Sequence, residues 1–353
     1  MRGLLLAGGH GTRLRPITHT NSKQLIPVAN KPILFYGLEA MAEAGIREVG
    51  VIVGDTEEEI RGAVGDGSRW GIEVTYIRQE APLGLAHAVL TAREFLDGEP
   101  FLMYLGDNLV REGLTGFVRT FEEHGPDAQI FLVKVPDPER FGVAVVQDDR
   151  VVRLVEKPRE HISDLAMSGV YLFTPAIFQA ASAIAPSWRG ELEITDAIQY
   201  LVDHGYTVRA ERIHDWWKDT GKLEDLLEAN RFVLDLQERR IEGDVDEGSH
   251  VVGEVLVEEG AVVRDSVIRG PASIAAGCVI EHSIVDPWTS IYTNTALVDT
   301  EIGNSIVMGD CRIVEVRRIR DSLIGRNVQI RRADSAPPSV QLMVGDNCAI
   351  ALP

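Results

Sequence analysis

From Val245 onward one aliphatic residue returns at nearly every sixth position, and no ordinary helix or sheet produces that spacing. The series runs Val245, Val251, Val257 and Val263, then Ile268, Ile274 and Ile280, then Val285, Ile291 and Leu297, then Ile302 and Met308, and ends on Ile313, Ile319, Ile324 and Ile330. The steps 263–268, 280–285 and 297–302 are one residue short, and they recur 17 residues apart. A strand alternates every two residues and a helix every 3.6. A six-residue repeat with a coil near 17 predicts three flat sides per turn, each turning one aliphatic residue into a prism. A β-sandwich gives no reason for such a period.

The part before the repeat has another rhythm. Apolar runs at Gly3–Ala7, Glu48–Val53, Glu73–Ile77, Phe101–Leu105 and Ala128–Val135 read as strands. Between them, Pro32–Ala44, Thr56–Val64, Leu85–Leu96 and Leu114–His124 read as helices. That alternation predicts βαβ units and a mainly parallel sheet. Past Pro136 the pattern loosens into strands at Val143–Val146, Val151–Val155 and Gly169–Phe173, with Ile194–Val202 helical, as expected for a region that carries a second substrate's site. Lys222–Arg240 reads as a connecting helix. We therefore expect two domains, residues 1–240 and 241–353.

Charge narrows the function. The 353 residues carry a net charge of −19, a surface that repels nucleic acid and anionic membrane. Residues 1–38 go the other way, with Arg2, Arg13, Arg15, Lys23 and Lys31 and no acid, so the rest of the chain stands at −24. A cationic segment on an acidic protein suits a small polyanionic substrate. No apolar run reaches the ~18 residues of a membrane span, and the run opening at Met1 is too short for a signal peptide. The three cysteines, Cys278, Cys311 and Cys348, form no CxxC pair. A cytoplasmic protein with reduced thiols is expected.

The densest chemistry lies in Leu4-Leu5-Leu6-Ala7-Gly8-Gly9-His10-Gly11-Thr12-Arg13-Leu14-Arg15-Pro16. Here a strand runs into a glycine-rich loop that ends in two arginines. The glycines bring backbone N–H groups close to an anion, and the arginine forks suit phosphate oxygens. It is not a Walker loop, which needs Gly-Lys-Ser/Thr, nor a dinucleotide fingerprint, since Leu14 stands at the third glycine position. Lys23 follows at once in a polar loop. Asp107, in Gly106-Asp107-Asn108, sits just past a buried strand, where ligands gather in open α/β sheets. There a carboxylate can hold Mg²⁺ or cap the next element. Asp219, in Trp217-Lys218-Asp219-Thr220-Gly221, offers the same two choices. The sequence alone does not bring the two aspartates together.

These motifs, with Glu156-Lys157-Pro158, run in the order found in the sugar-phosphate nucleotidylyltransferases. As a set they resemble that family and, within it, the long-form glucose-1-phosphate thymidylyltransferases. The resemblance implies a Rossmann-like, mainly parallel nucleotidyltransferase sheet followed by a left-handed parallel β-helix. It implies that Gly8, Gly9, Gly11, Thr12 and Arg13 wrap a triphosphate, with Lys23 beside the reacting phosphates. Gln79 and Gly84 would read the base, with Leu6 packed nearby. Asp107 and Asp219 would hold Mg²⁺. Asn108, Gly142, Glu156 and Val170 would line the sugar pocket, and Lys157 would grip the sugar's phosphate. Three positions depart from the family's pattern. Phe141 stands where many relatives have Tyr, and Lys218 and Lys222 stand where Leu and Thr are frequent, which bears on the sugar more than on the reaction.

The implied substrates are dTTP and glucose 1-phosphate, the products dTDP-glucose and pyrophosphate, and the context deoxysugar or glycan biosynthesis. The implied assembly is a homo-oligomer. A sugar phosphate is already ionised near pH 7, so no general base is needed, and His10, His19 and His87 are expected to be packing or solvent residues. UTP or GTP remains open as the nucleotide. An acyltransferase in the prism, with His250 and His282 as the available bases, is a second class, and a non-catalytic regulator of the same two folds is a third.

Overall fold

The structure is a computed structural model that describes residues 1–9, 11–19, 22–332 and 347–351. The chain divides into two compact units. One comprises Met1–His10 with Ile33–Asp219, and the other Gly11–Pro32 with Thr220–Pro353. This division differs from a cut at residue 240. The segment carrying Arg13 and Lys23 belongs to the second unit, and so does the helix that follows Asp219.

The first unit is built on a nine-stranded sheet. Its strands are β1 (Arg2–Leu6), β2 (Glu48–Val53), β3 (Glu73–Arg78), β4 (Phe101–Leu105), β6 (Ala128–Lys134), β7 (Gly142–Gln147), β8 (Arg150–Glu156), β9 (Leu165–Phe173) and β10 (Val208–Arg212). Two short strands, β5 (Asn108–Val110) and β11 (Trp217–Asp219), pair separately. The sheet order is β3-β2-β1-β4-β9-β6-β10-β8-β7. The first four strands are mutually parallel. Strands β1, β2 and β4 are unbroken apolar runs because both of their faces are buried. Beyond β4 only the β6–β10 pair is parallel. β9 runs antiparallel to both β4 and β6, and β8 antiparallel to β10 and β7. The parallel half is the part that positions a ligand. Leu6 pairs with both Ile52 and Leu105, and Val53 with Arg78, so the C-terminal ends of β1 to β4 line up along one edge.

The helices follow the expected stretches with two changes. The stretch Leu85–Leu96 divides into two helices, Leu85–Thr91 and Arg93–Leu96. The Thr91 hydroxyl donates to the His87 carbonyl one turn back, a bond that bends helices. In the second unit the connecting helix is shorter than expected, at Leu223–Asp235. It stops because Arg240–Ile241 already pairs with Val255–Val257 as the first strand of the prism.

The rest of the second unit confirms the repeat. Among the described residues, three parallel sheets of six, six and five short strands form the sides of a left-handed β-helix. Val257, Ile274 and Ile291 stack in register at 17-residue intervals, as do Val263 and Ile280. All are fully buried. The stack then departs from the expected spacing. Ile291 pairs with Val307, and Leu297 with Ile313, so this coil is one residue shorter. The inward residue is Val307 rather than Met308. The cause is the corner. Gly303-Asn304 replaces the longer Asp286-Pro287-Trp288 of the coil before, with Asn304 (φ 46) in the left-handed conformation that Trp288 (φ 62) takes there.

Candidate active site

Along the strand-end edge of the first unit, β1 runs into Ala7, whose N–H donates to Ile52 O (2.8 Å), and then into Gly8 and Gly9. Gln79 leaves β3 with its N–H on Val53 O (2.9 Å). Its side chain is fixed: Nε2 donates to Gly84 O (3.2 Å) and lies 2.9 Å from His87 Nδ1. Both of its amide hydrogens are thereby directed inward, and Oε1 remains to accept, on the side of Gly8. His87 is thus more than a packing residue, because it orients Gln79. His10 lies outside the described residues, and His19 is exposed, 3.4 Å from Asn347.

Asp107 follows β4 on the same edge. The β5–β11 pair places Asp219 opposite Asn108, the residue after Asp107. Two aspartates more than a hundred positions apart in sequence are thus brought to one short antiparallel pair, Asp219 within it and Asp107 one residue before it. Asn108 is buried, and its Nδ2 donates to Asp107 Oδ1 (2.9 Å). The Tyr104 hydroxyl donates to Asn108 O (2.8 Å). Burial, and then the charge of Asp107, push the Tyr104 phenol far above its ordinary range, so it stays a donor. Among the described residues no three His, Cys, Asp or Glu side chains are grouped so that they could hold a metal ion by themselves. One or two carboxylates, completed by phosphate oxygens of a substrate, are a donor set suited to Mg²⁺.

Of the residues expected on the sugar side, Gly142 and Glu156 pair with each other on the β7–β8 hairpin, while Asn108 and Val170 lie on β5 and β9. Glu156 is tied by three neighbours. Thr195 Oγ1 donates to its Oε2 (2.6 Å), and Arg189 Nη1 and Lys157 Nζ lie 3.4 and 3.6 Å from its Oε1. A Cβ at position 142 would collide with the Met167 methyl and sit 2.7 Å from Thr195 Oγ1 and 2.9 Å from Glu156 Oε2. Only glycine lets the carboxylate approach the strand. Lys157 itself takes a left-handed backbone (φ 43), with its N–H on Phe141 O (3.0 Å). The Phe141 ring meets Trp217 edge-on at 5.7 Å, and the Trp217 indole N–H donates to Ser168 O (2.6 Å). Val170 pairs with Tyr104 on the neighbouring strand β4. Asn108 Oδ1 and Ser168 Oγ are buried without a hydrogen-bond partner among the described residues. They are polar atoms that a hydroxylated ligand would satisfy.

Arg189 is the residue that sequence reasoning passed over. It binds Glu191 (2.8 Å) and Glu193 (3.4 Å) as well as Glu156. Glu193 is almost fully buried, and burial holds its carboxyl above the usual range. The available signal was an arginine in the loop Ser187-Trp188-Arg189-Gly190, just ahead of two glutamates.

The cationic residues form their own constellation in the second unit. Gly11 (φ 61) opens a 3-10 turn, Thr12–Leu14, that presents Arg13 at the surface. A Cβ on Gly11 would lie 2.9 Å from the Lys23 Cβ, so the left-handed turn and the close approach both require glycine. Thr18 Oγ1 donates to Gly11 O (2.7 Å) and closes the loop. Lys23, which the sequence places in a polar loop, is only 6% exposed. The loop folds over it.

A chain with this layout fits the model of the nucleotidyl transferases over residues 2–236. It belongs to that family. A glucose-1-phosphate thymidylyltransferase of Streptomyces griseus is 55% identical, with 98% of each chain covered. A low-salt glycan biosynthesis nucleotidyltransferase of Haloferax volcanii is 48% identical, with both chains covered completely. Among solved structures, a Bacillus anthracis protein described as a glucose-1-phosphate thymidylyltransferase, in complex with a sucrose, matches with a TM-score of 0.64 at 32% identity. That match covers 68% of this chain and 98% of the other. The full-length similarity to the first two relatives spans the prism as well as the sheet.

Proposed function

We propose that the protein transfers a thymidylyl group from dTTP to glucose 1-phosphate, giving dTDP-glucose and pyrophosphate for deoxysugar or glycan synthesis. The observation that carries this reading is the β5–β11 pairing that sets Asp219 opposite Asn108, the neighbour of Asp107, on the edge where Gln79 is held with its Oε1 left to accept. The likeness to thymidylyltransferases over the whole chain supports the choice of substrates.

The reaction asks for positioning and charge neutralisation rather than covalent help. A phosphate oxygen of glucose 1-phosphate attacks the α-phosphorus of dTTP in line, and the bond to pyrophosphate breaks. Gln79 Oε1 accepts the N3–H of thymine, Gly84 completes the base edge, and Leu6 packs nearby. Gly8, Gly9, Gly11, Thr12 and Arg13 wrap the triphosphate, and Lys23 stands by the reacting phosphates. Lys157 holds the sugar's phosphate, while Asn108, Gly142, Glu156 and Val170 form the sugar pocket. When bound by Asp107 and Asp219, Mg²⁺ supplies charge neutralisation to the triphosphate. We assign catalysis to residues 1–240 and assembly of a homo-oligomer to the prism at 241–353. We place the protein in the cytoplasm. No helix among the described residues is long and apolar enough to cross a membrane, and Cys278, Cys311 and Cys348 are unpaired.

The test is a steady-state panel of dTTP, UTP and GTP against glucose 1-phosphate, with pyrophosphate release as the readout. The expected result is the highest kcat/KM for dTTP and loss of activity in excess EDTA. A higher kcat/KM for UTP or GTP would overturn the nucleotide assignment.

A further inference from the structure

The loop carrying Arg13 and Lys23 is not held only by its own turns. Its last part is a two-residue hairpin in which Val28 pairs with Lys31, and the turn residues Ala29 (φ 46) and Asn30 (φ 61) both take the left-handed conformation. That turn is fastened to the prism. Asn30 Nδ2 donates to Ser273 Oγ (3.0 Å) and to Ile291 O (3.0 Å). The Ala29 N–H donates to Asn230 Oδ1 (2.8 Å) on the connecting helix. Asn230 is completely buried and is itself locked onto the prism. It accepts from Ser290 Oγ (2.9 Å), and its Nδ2 donates to Trp288 O (3.0 Å). At the other end of the loop, Ile17 packs against Gly325 of a later coil. Ser273, Ser290 and Ile291 lie on one side of the prism, in the paired strands Ala272–Ile274 and Thr289–Ile291.

We propose that the prism acts in the transfer reaction as the support of the cationic loop, with Asn30 and Asn230 as positioning residues. The claim rests on the reading that Arg13 and Lys23 engage phosphate. A loop of this length with no such anchors would sample many geometries. Fixing it in advance removes that ordering cost from each encounter with a triphosphate. The chemistry favours a specific tether over generic packing. The bonds are made by the half-buried Asn30 and the fully buried Asn230 with directional partners, and the buried Asn230 amide, whose oxygen and nitrogen are both engaged, holds one arrangement because the alternatives leave it unsatisfied. The prism therefore has a part in catalysis in addition to any part in assembly.

Asn30→Gly isolates the tether, because glycine accepts the left-handed turn while the two side-chain bonds vanish. The intact variant is assayed with dTTP and with glucose 1-phosphate varied in turn, beside Ser273→Ala, Arg13→Ala and the double variant Asn30→Gly/Arg13→Ala. The expected result for Asn30→Gly is a fall on the order of tenfold in kcat/KM for dTTP, since a small misplacement of a positioned group can cost up to ~10²-fold. The KM for glucose 1-phosphate should stay within twofold. Ser273→Ala should shift dTTP kinetics in the same direction by less, and Asn30→Gly should add little to Arg13→Ala, because both act through one loop. If Arg13→Ala is impaired while Asn30→Gly matches the wild type, the tether is refuted and the reading of Arg13 survives. Full additivity in the double variant also refutes it. If Arg13→Ala itself is unimpaired, the phosphate reading of the loop falls and the tether falls with it.

Discussion

Gly142→Ala should damage the sugar side of the site while sparing the nucleotide side, and the structure gives the size of the effect. The added methyl would sit 2.7 Å from Thr195 Oγ1 and 2.9 Å from Glu156 Oε2, where ordinary contact begins at 3.4 Å. The Met167 methyl is also in the way, but it is the end of a flexible chain and can turn aside. Thr195 and Glu156 cannot. Thr195 is fully buried, and the two are joined by a 2.6 Å hydrogen bond. Either they move together by about half an ångström, dragging Arg189 and Lys157 with the carboxylate, or the bond breaks. Overpacking of this kind costs about 1–3 kcal/mol. If that cost falls on the proposed sugar pocket, the KM for glucose 1-phosphate rises roughly 5- to 150-fold. The assay varies glucose 1-phosphate at saturating dTTP, then the reverse, with a thermal melt to separate binding from unfolding. A sugar-phosphate KM within twofold of wild type, in a folded protein, would refute the argument. It would mean that Glu156 is not aimed at the sugar.

Three further outcomes follow from the same geometry. Asp219→Asn and Asp107→Asn should each raise the Mg²⁺ concentration needed for half-maximal rate, and an unchanged Mg²⁺ titration for Asp219→Asn would reduce that residue to a cap of the helix that follows. Gln79→Ala leaves the N3–H of the pyrimidine without an acceptor, which costs roughly 1–3 kcal/mol. The loss should appear in kcat/KM for dTTP and narrow the preference over GTP, and an unaltered dTTP-to-GTP ratio would remove Gln79 from base reading. Arg13→Ala should lower turnover by ~10²–10³ with little change in the melting temperature, since Arg13 is exposed on its turn, and near-normal turnover would deny it the role.

How much of this was legible in the sequence depended on the range of the interactions. Strands β2 and β4 follow the sequence expectation to the residue, because a run buried on both faces announces itself locally. The hexapeptide period announced the prism for the same reason, coil after coil. The sixteen-residue coil did not show, since Met308 is also apolar and buried and keeps the six-residue rhythm that Val307 breaks. The burial of Lys23 did not show, because nothing in Ser22-Lys23-Gln24 says that Gly11 will fold against it. Arg189 was hidden among ordinary loop residues, and its role becomes visible only through Glu156, 33 positions away.

The aspartate pair shows most clearly why local reading stops where function begins. Asp107 immediately precedes one strand of three residues and Asp219 ends another, both too short for any period to emerge. What joins them is topology. β4 is the last strand of the parallel half, so its end opens on the ligand edge, and the antiparallel strand β9 beside it carries Ser168 to the Trp217 indole. Trp217 then sets β11 against β5 and delivers Asp219 to the neighbour of Asp107. A single aromatic anchor between two strands thus brings into one neighbourhood two aspartates that the sequence leaves separate, each readable as a cap. The same logic places Arg13 and Lys23, whose loop takes its fixed form from partners some 240–260 positions away on the prism. In this chain each chemical group is signalled locally, and each working arrangement is made by a distant contact.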